Sequence, residues 1–114
     1  MTIYPGNPGC EQFATLGRME AACRQTENHL RLVERQIATR AERMAITSRA
    51  KSRQFGRGRS TWTNADENLF QSNVATLAFA RRSEIESLIR NLTRQEHAIA
   101  AFLRKHALLE AAAA

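Results

Sequence analysis

Residues 40–60 read RAERMAITSRAKSRQFGRGRS. They set Arg40, Arg43, Arg49, Lys51, Arg53, Arg57 and Arg59 against a single acid, Glu42. The stretch carries +6, which equals the formal net charge of the whole chain, so the other ten basic and ten acidic residues cancel. No carboxylate occurs between Arg43 and Ala65. The stretch also holds the clear break between two long helical patterns, Phe55-Gly56-Arg57-Gly58-Arg59-Ser60. Gly56 and Gly58 lift the steric bar on positive φ, so the chain can reverse there. The expected fold class is all-α: a long antiparallel two-helix hairpin, coiled-coil-like, with a basic Gly/Arg tip.

Upstream of the break, residues 10–53 read as one helix. Leu16, Cys23, Leu30, Ile37 and Met44 fall seven apart, and Met19, Thr26, Val33, Arg40 and Thr47 fill the offset of three. This is a heptad whose second position turns polar at Arg40 and Thr47, where positive charge gathers. Glu20–Arg24 and Glu27–Arg31 are acid-then-base pairs at i, i+4 that mark a solvated face. Residues 54–63 form the basic turn. Thr63 with Asp66, and Asn64 with Glu67, have the spacing of a helix cap and its answering acid.

Downstream, residues 64–110 read as a second helix. Ala78, Ile85, Leu92, Ile99 and His106 share one seam position; Val74, Arg81, Leu88, Gln95, Phe102 and Leu109 share the other. Leu77, Ile89 and Leu103 widen the apolar face, which predicts packing on more than one helix. The expected helix-packing interface is Leu16, Met19, Leu30, Val33, Ile37, Met44, Leu77, Ile85, Leu88, Leu92, Ile99 and Phe102. Residues 1–9, with Pro5-Gly6 and Pro8-Gly9, read as an extended lead-in. Asn7 before Pro8 reads as a cap with proline at the first helical position. Residues 111–114 are an alanine tail.

A chain of 114 residues is expected to form one domain, residues 1–114. Two helices alone bury little, so a protein partner or self-association through the helical face is expected. Cys10 and Cys23 lie thirteen positions apart. On one helix that is about 20 Å, too far for a mutual disulfide, so reduced thiols are expected, with Cys23 a small core residue. His29, His97 and His106 are scattered, and no cofactor or metal site is expected. The N-terminus lacks a basic region followed by an apolar run, so no secretory signal is expected. No stretch approaches the ~18 apolar residues of a membrane span. The expected location is intracellular, in cytoplasm or an organelle matrix.

No arrangement of nucleophile, base and orienting group is visible, no strand precedes a glycine-rich loop, and no small-molecule substrate is expected. The chain is therefore read as no enzyme. The tip is the constellation that carries chemistry. Arginine outnumbers lysine there six to one, and its planar fork binds phosphate or carboxylate through two hydrogen bonds. Phe55 and Trp62 lie among the charges as stacking or anchoring groups. The expected contact set for RNA, DNA or an acidic partner is Arg40, Arg43, Arg49, Lys51, Arg53, Phe55, Arg57, Arg59 and Trp62.

Trp62-Thr63-Asn64-Ala65 followed by Phe70 resembles the turn of the WXG100 secreted hairpins, which place an aromatic eight residues after the tryptophan of a Trp-x-Gly turn. His106 to Glu110 occupies the place of that family's C-terminal Tyr-x-x-x-acid signal. Asn64 stands where the family has glycine and His106 where it has tyrosine. The resemblance implies a secretion-associated hairpin or chaperone. The Trp-Thr start with acids following is also similar to a Myb/SANT repeat, whose later tryptophans are missing here. No residue role is carried over from either, and no family is assigned. The expected function is a non-catalytic structural or adaptor subunit of a larger assembly, with a stand-alone nucleic-acid-binding dimer as the alternative.

Overall fold

The computed structural model describes residues 8–52 and 61–113, with side chains described over 9–51 and 61–107. The described residues are all helical apart from short connections. Helix α1 spans Pro8–Ser52, α2 spans Asn64–Ala80 and α3 spans Arg82–Ala113. Proline at the first position of α1 loses nothing, because a first-turn N–H has no partner inside the helix. No helix among the described residues is long and apolar enough to cross a membrane.

The all-α expectation holds. The single helix expected over 64–110 is instead two, divided at Arg81, whose φ of −106° and ψ of 15° leave the helical region. The interruption is one residue wide. Arg81 N–H still reaches the Leu77 carbonyl at 3.1 Å, and Ile85 N–H reaches the Arg81 carbonyl at 3.1 Å. Of the expected basic turn, residues 54–63, residues 54–60 lie outside the described residues.

The start of α2 follows the expected cap. Thr63 is extended, at φ −103° and ψ 169°, and its hydroxyl accepts from Asp66 N–H at 3.2 Å. The Asp66 carboxylate answers by accepting from Thr63 N–H at 2.8 Å. Of the two spacings, the structure uses Thr63 with Asp66. Each partner satisfies a donor that the first helical turn would leave orphaned.

The chain divides into two compact units. One comprises the α1 portion up to His29 and the α3 portion from Ser87. Cys23 and Thr26 are buried in it, while Leu16, Met19, Leu88, Leu92, Gln95, Ile99 and Phe102 are half-buried. Thr26 hides its hydroxyl by donating to the Ala22 carbonyl at 3.2 Å. Gln95 Nε2 donates to the same carbonyl at 3.4 Å, so two polar seam residues share one acceptor.

The other unit comprises Leu30–Glu86. Its pairings run antiparallel: Arg81 with Gln36 and Asn73 with Ala41 are hydrogen-bonded, and Arg49 pairs with Asp66. Val33, Ile37, Ala41 and Ala45 are its buried apolar residues among those described. Leu30, Leu77 and Ile85 are half-buried. The heptad places Met44 on the seam, yet Met44 is 39% exposed, whereas Ala41 and Ala45 are fully buried. From Val33 the buried positions step by four rather than alternating four and three. Each step of four turns the stripe about 40° around the helix, because successive residues advance by about 100°. The stripe therefore drifts off Arg40, Met44 and Thr47. The two alanines allow a close approach, and Asn73 Nδ2 reaches the Ala41 carbonyl at 3.3 Å.

Candidate functional site

The drift of the buried stripe fixes what α1 presents to solvent in the Leu30–Glu86 unit. Leu32, Arg35, Gln36, Thr39, Arg40 and Arg43 line an open groove of about 450 Å³. A second groove of about 340 Å³ continues along Arg40, Arg43, Met44, Thr47 and Ser48. Among the described residues, three guanidinium groups line these grooves and no carboxylate does. A helical turn rises about 5.4 Å, so Arg35, Arg40 and Arg43 cover a strip about 12 Å long. Arg81 sits at its edge with its charge answered. It donates to both carboxylate oxygens of Glu84 at 3.0 and 3.1 Å and to Gln36 Oε1 at 3.0 Å.

A second group surrounds the start of α2. Arg49 donates to the Thr61 carbonyl at 2.6 Å, and its Nε lies 3.6 Å from Asp66 Oδ2. Trp62 packs edge-on to Phe70, with ring centres 6.5 Å apart at 71°. Its indole N–H donates to Glu67 Oε2 at 2.9 Å. Glu42, Trp62, Glu67 and Phe70 enclose a cleft of about 230 Å³. Hydrogen bonds from Gln71 and then Trp62 hold the Glu67 carboxyl below its ordinary range, against a smaller desolvation that raises it. A depressed carboxylate pKa contributes stability above the unfolded value, which is lost as pH falls through the folded value. Trp62 is the sole tryptophan, so its emission reports this bond. An acid titration should show an emission change centred below the ordinary glutamate value of about 4.3. Glu67→Gln should remove that change; a transition unaltered in the variant would show that another group causes it.

Of the residues singled out from sequence, Arg40, Arg43 and Lys51 are exposed on α1. Arg49 is half-buried and tied to Thr61 and Asp66. Trp62, 38% exposed, is engaged with Glu67 and Phe70. Arg53, Phe55, Arg57 and Arg59 lie outside the described residues. The structure adds Arg35, which lies before the 40–60 stretch. The four-residue spacing of Leu32, Gln36 and Arg40, with Thr39 and Arg43, was the signal that these side chains share a face.

In the other unit, Cys23 on α1 meets two carboxylates. Its Sγ donates to Glu27 Oε1 at 3.8 Å, one turn on. Sγ and one carboxylate oxygen from each of Glu27 and Glu96 all lie within 4.8 Å of one another. Cys23 is buried, Glu27 is half-buried and Glu96 is exposed. Burial pushes the Cys23 thiol up, and the negative charges of Glu27 and Glu96 push it further, with Arg24 opposing. Cys10, the other cysteine, is exposed and free. No family model, curated protein or solved structure matches the chain.

Proposed function

We propose that the protein is a non-catalytic subunit of a larger assembly, which packs through its helical faces and holds a polyanion on a basic surface. The polyanion is a nucleic-acid backbone or the acidic surface of a partner. The observation that carries the reading is the strip of Arg35, Arg40 and Arg43 along grooves free of carboxylates. A one-signed surface raises the local concentration of opposite charge, and guanidinium forks fit phosphate and carboxylate oxygens. By sequence, Lys51, Arg53, Arg57 and Arg59 extend the same charge. In this proposal the chain is a hairpin with its basic turn at residues 54–63, a reading supported by the antiparallel pairing within the Leu30–Glu86 unit.

The packing half of the proposal rests on the thin interior. Among the described residues, the buried apolar ones are Cys23, Val33, Ile37, Ala41 and Ala45, of which only Val33 and Ile37 are large. Phe13 is 77% and Phe79 68% exposed. The Arg82 guanidinium lies over the Phe79 ring, 4.1 Å from its centre. In this proposal, packing against other helices covers these side chains.

Titration of a labelled single-stranded oligonucleotide and of polyglutamate, each across a salt series, tests the polyanion half. For the oligonucleotide, log affinity should fall linearly with log salt. Arg40→Ala with Arg43→Ala should weaken binding at every sequence and reduce the slope by roughly 0.7 per lost contact. Unchanged binding in that variant would remove the strip from the function. Binding of polyglutamate alone would assign the strip to an acidic protein.

A further inference from the structure

Cys23, Glu27 and Glu96 bring together three metal-ligating groups, and they do so from two helices. Cys23 and Glu27 stand at i, i+4 on α1, the spacing that puts two side chains on one face a turn apart. Glu96 comes from α3. Their ligand atoms lie within 4.8 Å of one another, close enough for small side-chain rotations to bring all three onto one ion. Zinc–sulfur bonds are about 2.3 Å and zinc–oxygen bonds about 2.0–2.2 Å, and the ion accepts three protein ligands with water in a fourth position.

The donor set is mixed, and its sulfur is not a surface thiol. Cys23 is 7% exposed. A buried cysteine ordinarily behaves as a small apolar residue, yet this one faces two carboxylates, an arrangement that gathers negative charge without a bound cation. The neighbouring turn supplies a separate observation. Gln95 places its amide at the Ala22 carbonyl, just before Cys23, and leaves Oε1 buried with no hydrogen-bond partner among the described residues. A buried acceptor without a donor carries a penalty.

We propose that Cys23, Glu27 and Glu96 bind one divalent cation of borderline softness, Zn²⁺, in a site independent of the basic strip. On binding, the thiol proton leaves to solvent and the thiolate sulfur takes its place on the ion; the two carboxylates bind ionised. The resulting charge is −1, from three anionic ligands and a dication, and Arg24 beside Cys23 partly answers it. A thiolate ligand selects zinc over magnesium and calcium, which take oxygen donors.

The test titrates the full reduced chain with Co²⁺, a spectroscopic stand-in for zinc, and then displaces it with Zn²⁺. The expected result is one Co²⁺ per chain with sulfur-to-cobalt charge-transfer absorption, bleached by one equivalent of Zn²⁺ and untouched by excess Mg²⁺. Cys10→Ser should keep the absorption and Cys23→Ser should lose it. Glu96→Gln should weaken binding at least about tenfold. Glu96 is exposed, so this variant carries the test even where Cys23→Ser loses helicity by circular dichroism. Absence of the band in the unaltered chain, its survival in Cys23→Ser with retained helicity, or an affinity indifferent to Glu96→Gln would each overturn the site.

Discussion

Ala41→Glu should lower stability by about 3 kcal/mol or more, whereas Met44→Glu should leave it nearly unchanged. Ala41 is fully buried against α2, and Asn73 donates to its carbonyl. A glutamate there must displace α2 or sit in an apolar contact without a partner. Met44 is 39% exposed, and its substitution reaches solvent. A melting curve followed by circular dichroism should separate the two variants by roughly 10 °C or more. Equal effects, or a larger effect at Met44, would restore the heptad register and remove the four-residue drift. The pair of variants thus measures which side of α1 faces α2, and with it whether Arg40 and Arg43 point away from the contact.

Asp66→Ala should cost about 2–3 kcal/mol, much more than an exposed helix substitution. The carboxylate is 8% exposed as a residue and accepts from both the N–H and the hydroxyl of Thr63, at 2.8 and 2.9 Å. It also lies 3.6 Å from Arg49 Nε, whose side chain is only 14% exposed. Removing it loses the cap at the start of α2 and loosens the tie between that start and α1. Asp66→Asn keeps the shape and an acceptor but loses the charge, and should fall between the two. Trp62 emission should shift with the loss of the cap, because Trp62 directly precedes Thr63. A melting temperature unchanged in Asp66→Ala would show that the Arg49 and Thr63 contacts contribute nothing net.

These two predictions locate where sequence reasoning stopped. The cap was legible because Thr63 and Asp66 lie three residues apart in one chain segment, and capping chemistry is local. The helical state of 10–52 was legible for a similar reason: sustained periodicity, strong helix formers and no internal proline; Pro8 and Gly9, read in the extended lead-in, are also helical. The break at Arg81 carried no such mark. Ala80-Arg81-Arg82 is good helix-forming sequence, and the change in backbone angles there accompanies contacts to Gln36 and Glu84 on both sides. The heptad did place Arg81 in the seam, without saying that its guanidinium would leave the seam's edge for Glu84.

The candidate sites divide along the same line. Arg40 and Arg43 were nominated from charge alone, and Arg35 joined them only when the exposed face of α1 was known. Arg49 looked equivalent by charge, but its neighbours across the connection, Thr61 and Asp66, engage it. Cys23 read as an ordinary core residue, because Glu27 is one turn away while Glu96 is remote in sequence. The residues nominated on 53–60 lie outside the described residues.

By itself the sequence determined helices, the start of α2 and a concentration of positive charge, since propensity, capping and charge are properties of short segments. Tertiary structure decided the register. It chose Ala41 and Ala45 over Met44, put Arg49 beside Asp66, and set Glu96 against Cys23. The reason is geometric. Periodicity along one helix marks a stripe, but which residues meet depends on how two stripes slide and rotate against each other. Steps of four where steps of three were read turn the stripe by about 40° each. In this protein that rotation leaves Arg40 and Arg43 on the exposed side of α1.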